Sequence, residues 1–279
     1  MSTIHRILRK PFFGRFEVPW VWPTDTAVES WERVSFISRN GAQLQGLWGK
    51  AEGHSEEHAL GNLVLAHPMG KAAKGFWLRY GHAQLFRKSG FNVFVFDANG
   101  FGESEAHSFD YPSDILAAGL WAQQRQAKLK TGLVGASFGA AWGLCSMANK
   151  DSPYRAAILE AAFPTLPEFW HHYPVAHAAL RLSQWVWPSL ERNLRPERLA
   201  TIVQHQPQVM LIYGDADIYT PPSHGQRLQQ AFTKAGTNAE LITLAGVDHT
   251  FTFQKAPDVY AAKVLPFLRQ HLHTDTARN

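Results

Sequence analysis

The sequence predicts an α/β protein built on one mostly parallel, eight-stranded sheet with helices on both faces. Three observations carry that expectation. Short apolar runs recur along the chain, and the later ones (NLVLAH, NVFVFD, QVMLIYG) are apolar throughout, as strands covered on both faces must be. Segments of helical length lie between them, and such alternation feeds parallel strands through right-handed crossovers. The 279 residues, 45% hydrophobic and 18% charged, suffice for one such domain and have the composition of a chain that folds.

Residues 1–30 read as an irregular arm, rich in Phe12, Phe13, Phe16, Trp20, Trp22, Pro11, Pro19 and Pro23. Pro11 cuts short any helix there, so the arm is expected to pack on its own domain. It is also where a membrane surface or a homo-oligomer contact would touch the chain. Arg6, Arg9, Lys10 and Arg15 all precede the first acidic residue, Glu17. Without those four, the 27 basic residues fall to 23 and match the 23 acidic ones. A nucleic-acid partner would need its basic stripe on the folded body, so none is expected. The opening lacks the apolar core and small-residue cleavage site of a secretory signal, which points to the cytoplasm. No run approaches the roughly 18 apolar residues of a transmembrane helix. The single cysteine, Cys145, excludes an internal disulfide and a multi-cysteine metal site.

The domain occupies residues 31–279. Strands are expected near 33–38, 43–49, 62–67, 92–97, 131–136, 156–161, 208–213 and 239–244. The first two form an edge hairpin through Arg39-Asn40-Gly41-Ala42. Helices are expected near 76–89, 113–127, 138–149, 222–232 and 258–272. About 44 residues separate Phe163 from Gln208, too many for one crossover helix. That interval, about 164–207, reads as a small helical cap inserted in the domain.

Gly135-Ala136-Ser137-Phe138-Gly139 follows one strand and opens a helix, the context that a G-x-S-x-G turn requires. The turn thrusts the serine oxygen out of the sheet, and small residues on either side let strand and helix approach. A serine hydroxyl needs a base to take its proton and a third group to orient that base. Asp215 and Asp217 follow the strand QVMLI, and His249 follows ELITLAG, both at carboxyl ends of strands, where open sheets bind ligands. The order Ser…Asp…His is that of the α/β-hydrolases.

The chain resembles the α/β-hydrolase superfamily over roughly residues 33–273, and within it the bacterial serine esterases, thioesterases and serine-aminopeptidase-like hydrolases. LAHPMG (65–70), FDANGFGES (96–104), GASFG (135–139) and the pair YGDADIYTPP (213–222) with GVDHTF (246–251) carry the likeness, in order. The resemblance implies Ser137 as nucleophile, His249 as base and Asp217, the last position of G-x-x-D, as the acid. Asp215 then orders its loop, and Glu160 at the end of the preceding strand is a third choice of acid. His224 or a cap histidine is the lesser alternative for the base, and Asp248 is structural. The oxyanion donors would be the N–H of Phe138 and of Met69, because Pro68 has none. Many relatives carry His-Gly where this chain has His67-Pro68, which stiffens that loop; His67 reads as loop-ordering.

Trp170, Tyr173, Trp185 and Trp187 of the cap are candidates to roof an apolar acyl or aryl pocket, or else to bury the cap on the domain. Glu168, His171 and His172 have an E-x-x-H spacing but lack the second copy a metal pair needs, so no metal is expected. Cys145 reads as core. Lys71 and Lys74 read as a solvated helix start, with an anionic leaving group as the less favoured role. The expected activity is hydrolysis of a small-molecule carboxylic ester or thioester through an acyl-serine, without metal or organic cofactor. Peptide or amide cleavage, acyl transfer by the same triad, and a non-catalytic ligand-binding protein are the alternatives.

Overall fold

The computed structural model describes residues 21–24, 26–70, 73–186, 188 and 192–273. Most of the arm, together with Lys71 and Trp187, therefore lies outside the described residues. Of its end, Val28–Ser30 makes a 3-10 turn, and Trp22 packs on the body with Arg33 over its ring.

Eight strands form one sheet: β1 Glu32–Ile37, β2 Gln43–Gly49, β3 Asn62–Ala66, β4 Asn92–Phe96, β5 Thr131–Ala136, β6 Tyr154–Glu160, β7 Gln208–Gly214 and β8 Ala239–Leu244. Their order is β1-β2-β4-β3-β5-β6-β7-β8. β2 runs antiparallel to both β1 and β4, which makes the expected edge hairpin. Every pairing from β4 to β8 is parallel. Five parallel strands in the middle explain the unbroken apolar runs, since neither face meets water.

The helices are α1 Gly75–Arg79, α2 His82–Lys88, α3 Tyr111–Arg125, α4 Phe138–Met147, α5 Leu166–Phe169, α6 Pro174–Val186, α7 Pro196–Ala200, α8 Pro222–Lys234, α9 Thr252–Lys255 and α10 Pro257–Leu272. The single helix expected over 76–89 is two, because Gly81 takes a left-handed φ of 82° between them. α9 has only four residues, too few to leave a periodic signal.

The pleat of β3 shows how the two faces divide. Leu63 and Leu65 join Trp77, Phe86, Tyr260, Val264 and Leu268 of α1, α2 and α10 on one face. Val64 and Ala66 join Ile115, Leu144 and Leu228 of α3, α4 and α8 on the other. α5, α6 and α7 lie between β6 and β7. α5 buries Phe169, whereas α6 has no buried residue and turns Ala176 and Leu180 inward. No helix among the described residues is long and apolar enough to cross a membrane.

Leu133, in the middle of β5, is fully buried and rests against Gly143 of α4, the helix that begins after Ser137. Leu133→Ala is expected to cost about 2–5 kcal/mol of stability, read from urea denaturation, through lost transfer energy and the cavity left behind.

Candidate active site

Ser137 sits between β5 and α4 at φ 51° and ψ −112°, a conformation that side chains other than glycine rarely adopt. The sequence around it forces and permits this turn. A Cβ at Gly139 would collide with the carbonyl of Ala66 at the end of β3, so only glycine lets α4 start so close to the sheet. The Ser137 N–H donates to the carbonyl of Glu160 at the end of β6, 2.8 Å away. Phe138 then opens α4, where first-turn N–H groups lie beyond the reach of the helix's own carbonyls.

The loops after β7 and β8 meet at this turn. Gly214 ends β7, and a Cβ there would collide with the carbonyl of Val247, so the two loops can lie against each other. Ser137 Oγ and His249 Nε2 are 2.8 Å apart, and His249 Nδ1 and Asp217 Oδ2 are 2.7 Å apart. Asp217 Oδ1 accepts the N–H groups of Tyr219 at 2.8 Å and Thr220 at 3.0 Å, and Oδ2 also accepts the Thr220 hydroxyl. Burial by itself would raise the Asp217 carboxyl. The hydrogen bond and charge of His249, with the two bonds from Thr220, outweigh it and hold the group below its ordinary value.

The other acids are engaged elsewhere. Asp215 accepts the Gly246 N–H at 2.6 Å and so orders the two loops. Asp248 is paired with Lys255 on the surface. Glu160 is buried at the end of β6, with Oε1 accepting the Thr252 N–H. His224 lies on α8, 3.6 Å from Glu168 and away from Ser137's hydrogen bonds. Glu168 accepts from Arg227 and Thr165, while His171 and His172 are exposed. Burial among apolar groups pushes the Cys145 thiol up, which leaves it un-ionised in the core.

Met69 lies in the loop from β3 to α1 and packs on the main core cluster. Two devices hold this loop. His67 donates from Nδ1 to its neighbour's carbonyl on Pro68 and accepts the Ala98 N–H at Nε2, so both ring nitrogens are occupied and its tautomer is fixed. Lys74, contrary to the solvated helix start expected for it, is fully buried. Its backbone N–H and its Nζ both go to Asp97 at the end of β4, and Nζ also reaches Glu103. In the sequence, a lone lysine after a loop looks like any surface lysine. The acid at the close of the β4 apolar run, Asp97, is the one available signal.

The cap residues divide. Trp170 is buried beside Phe169, and Tyr173 packs on Trp170 at 5.3 Å. Trp185 does not roof a pocket: it is 82% exposed. With Ala176 and Leu180 inward, a residue five places beyond Leu180 lies about 140° round the helix, on its outer face. Two rings that the sequence did not single out stand closest to the histidine. Phe169 and Tyr219 lie 5.8 and 5.5 Å from the His249 ring, and Phe169 also packs edge-on against Phe138.

Residues 77–275 match the prolyl oligopeptidase family. The uncharacterized protein YfhR of Escherichia coli is 25% identical over 250 residues, which cover 87% of this chain and 82% of YfhR. The Pyrococcus furiosus esterase Pf2001 superposes with a TM-score of 0.73 at 16% identity, over 92% of this chain and all of that one (100%). The Pyrococcus horikoshii acylaminoacyl peptidase gives 0.64 at 14% identity, over 91% of this chain and 44% of its own. The Porphyromonas gingivalis dipeptidyl peptidase 4 gives 0.67 at 16% identity, over 87% and 35%. The fold is that of the α/β-hydrolases, as the motifs led one to expect.

Two outcomes follow from these contacts. Lys74→Met leaves Asp97 buried without its cation and should cost about 3–5 kcal/mol in thermal or denaturant unfolding. Asp217 has a folded-state value below its unfolded one, so its pairing adds stability above the ordinary carboxylate range and loses it as pH falls through the depressed value. The Tm difference between wild type and Asp217→Asn is therefore expected to hold steady from neutrality to about pH 4 and to close below it.

Proposed function

Since the chain belongs to the prolyl oligopeptidase family of serine hydrolases, we propose that it hydrolyses a small carboxylic ester or thioester through an acyl-serine on Ser137. The observation that supports this most is the continuous line of hydrogen bonds from Ser137 Oγ through His249 to Asp217. His249 Nε2 takes the Ser137 proton as Oγ attacks the carbonyl carbon, and Asp217 holds the imidazole by Nδ1–H and stabilises its positive charge. The N–H groups of Met69 and Phe138 stabilise the developing oxyanion. The tetrahedral species collapses as His249 returns the proton to the departing alcohol or thiol. Water then attacks the acyl carbon with His249 again as base, and the acid leaves with Ser137 restored.

In this reading residues 164–207 are a cap on the domain of residues 31–279. Its Phe169, with Phe138 and Tyr219, lines an apolar acyl or aryl site, and Trp170 and Tyr173 back it. The ester reading is favoured by the esterase Pf2001, which is matched over its whole length (100%), whereas the two peptidases are matched over 44% and 35% of theirs. Among the described residues, the cap acids that could receive a substrate ammonium are Glu168 and Glu197, and both are bound by Arg227. Peptide cleavage remains the second reading because those peptidases share the fold.

A panel of p-nitrophenyl esters of increasing chain length, acyl-coenzyme A thioesters and aminoacyl p-nitroanilides separates these readings. Wild type is expected to prefer an ester or thioester in kcat/KM, and Ser137→Ala to lose about 10⁴-fold or more in kcat. Preference for the anilides assigns the peptidase reading, and full activity in Ser137→Ala removes both.

A further inference from the structure

Glu160 is a buried acid that the reaction above does not use, and it touches both halves of the site. Its main-chain carbonyl accepts the Ser137 N–H at 2.8 Å. Its side-chain Oε1 accepts the Thr252 N–H at 3.2 Å, three residues beyond His249. The backbone close to these contacts is strained: Ser137, Ala161 next to Glu160, and Thr250 two residues before Thr252 have φ of 51°, 54° and 61°. A positive φ is costly for the β-branched Thr250, so its loop keeps this shape only if something outside it holds the chain there.

We propose that Glu160 is a positioning residue of this site, fixing the separation of Ser137 and His249 with its main chain on one and its side chain on the other. The inference rests on the serine-hydrolase reading of the site. Glu160 does this as a neutral acid. The carboxyl is 1% exposed, and among the described residues it has no Lys or Arg partner. The charged or titratable groups facing it are His249 and Asp217, whose effects oppose each other, and Tyr260 of α10. Behind Tyr260 lies His82 of α2, whose ring is 5.7 Å away and which burial keeps uncharged, its pKa lowered to about 3. Burial pushes the Glu160 carboxyl above the usual range, and its contacts with Thr252 do not outweigh that.

The surroundings fit a neutral hydrogen-bonding group. Glu160 Oε2, Tyr260 Oη, Trp77 Nε1 and both ring nitrogens of His82 are buried without a hydrogen-bond partner among the described residues. His82 lies 5.0 Å from Trp77 and 5.7 Å from Tyr260 between ring centres, within the apolar packing of α1, α2 and α10 against the sheet, so water is excluded from this side of the carboxyl. A carboxylate there would be a buried charge with no Lys or Arg beside it, whereas a carboxylic acid still accepts the Thr252 N–H at Oε1.

The test compares Glu160→Gln with Glu160→Leu. Three quantities are read: the second-order rate of fluorophosphonate labelling, kcat and KM for p-nitrophenyl acetate, and the pH dependence of kcat/KM. Glu160→Leu removes the acceptor and is expected to lose ~10²-fold in labelling rate and kcat with KM little changed, as for a small misplacement of reacting groups. Glu160→Gln keeps the acceptor and removes no charge, so it restores most of the rate and leaves the acid limb of the pH profile where it was. A labelling rate unchanged in Glu160→Leu overturns the inference. So does a displaced acid limb in Glu160→Gln, which would mean a carboxylate acting by charge. If Glu160→Leu does not fold by circular dichroism, Glu160→Ala, which also removes the acceptor but adds no bulk, is read by the same criteria. A folded wild type that fluorophosphonate does not label defeats the serine-hydrolase reading instead, a result distinct from any of these.

Discussion

The backbone turn at Ser137 is the constraint around which the rest of the molecule is arranged. It brings a residue with a side chain into left-handed φ, with α4 pressed so close to β3 that only glycine fits at position 139. Such strain persists only where the surroundings over-determine it. Here they are the central, fully covered strands β3, β5 and β6, in register from Leu63 to Ala66, Gly132 to Ala136 and Ala156 to Glu160. The turn is set where those strands end, and the groups it must meet come from the ends of β3, β7 and β8. A parallel sheet places all those ends on one edge.

Four buried acids lie near that edge, and their environments separate their tasks. Asp97 faces Lys74 and fastens the loop that carries Met69. Asp114 accepts two bonds from Asn99 and holds the next loop. Asp217 is held ionised by His249 and Thr220, so it can stabilise an imidazolium. Glu160 has no cation and is pushed towards the neutral form. Sheet and loops thus push two neighbouring acids in opposite directions, Asp217 down beside the histidine and Glu160 up in its apolar surroundings, a separation that environment alone can produce.

Strand positions, the edge hairpin and the turn at Ser137 were legible because each leaves a local mark: apolar runs bounded by turn residues, and glycines at fixed offsets. The loops that carry Asp217 and His249 were legible through their place after apolar strands, while only the family's G-x-x-D pattern separated Asp217 from Asp215. What was hidden depends on direction or on distant partners. Trp185 reads as a pocket residue until the facing of α6 is known, and that facing is set by Ala176 and Leu180 against the body. Lys74 reads as a surface residue because its partner Asp97 lies 23 positions away in sequence. Thr220 sits three places after Asp217, where its bonds to that carboxylate are local, so the D-x-x-T spacing could have revealed it. Phe169 could not have been found this way, since only the packing of α5 brings its ring to His249.

The most direct measurement of the central claim is rapid acid quenching during turnover of p-nitrophenyl acetate, followed by peptide mass mapping. An acetyl group on the peptide containing Ser137, absent from Ser137→Ala, is the result this account predicts. Release of p-nitrophenolate with the acetyl group on another residue, or undiminished release by Ser137→Ala, would contradict it.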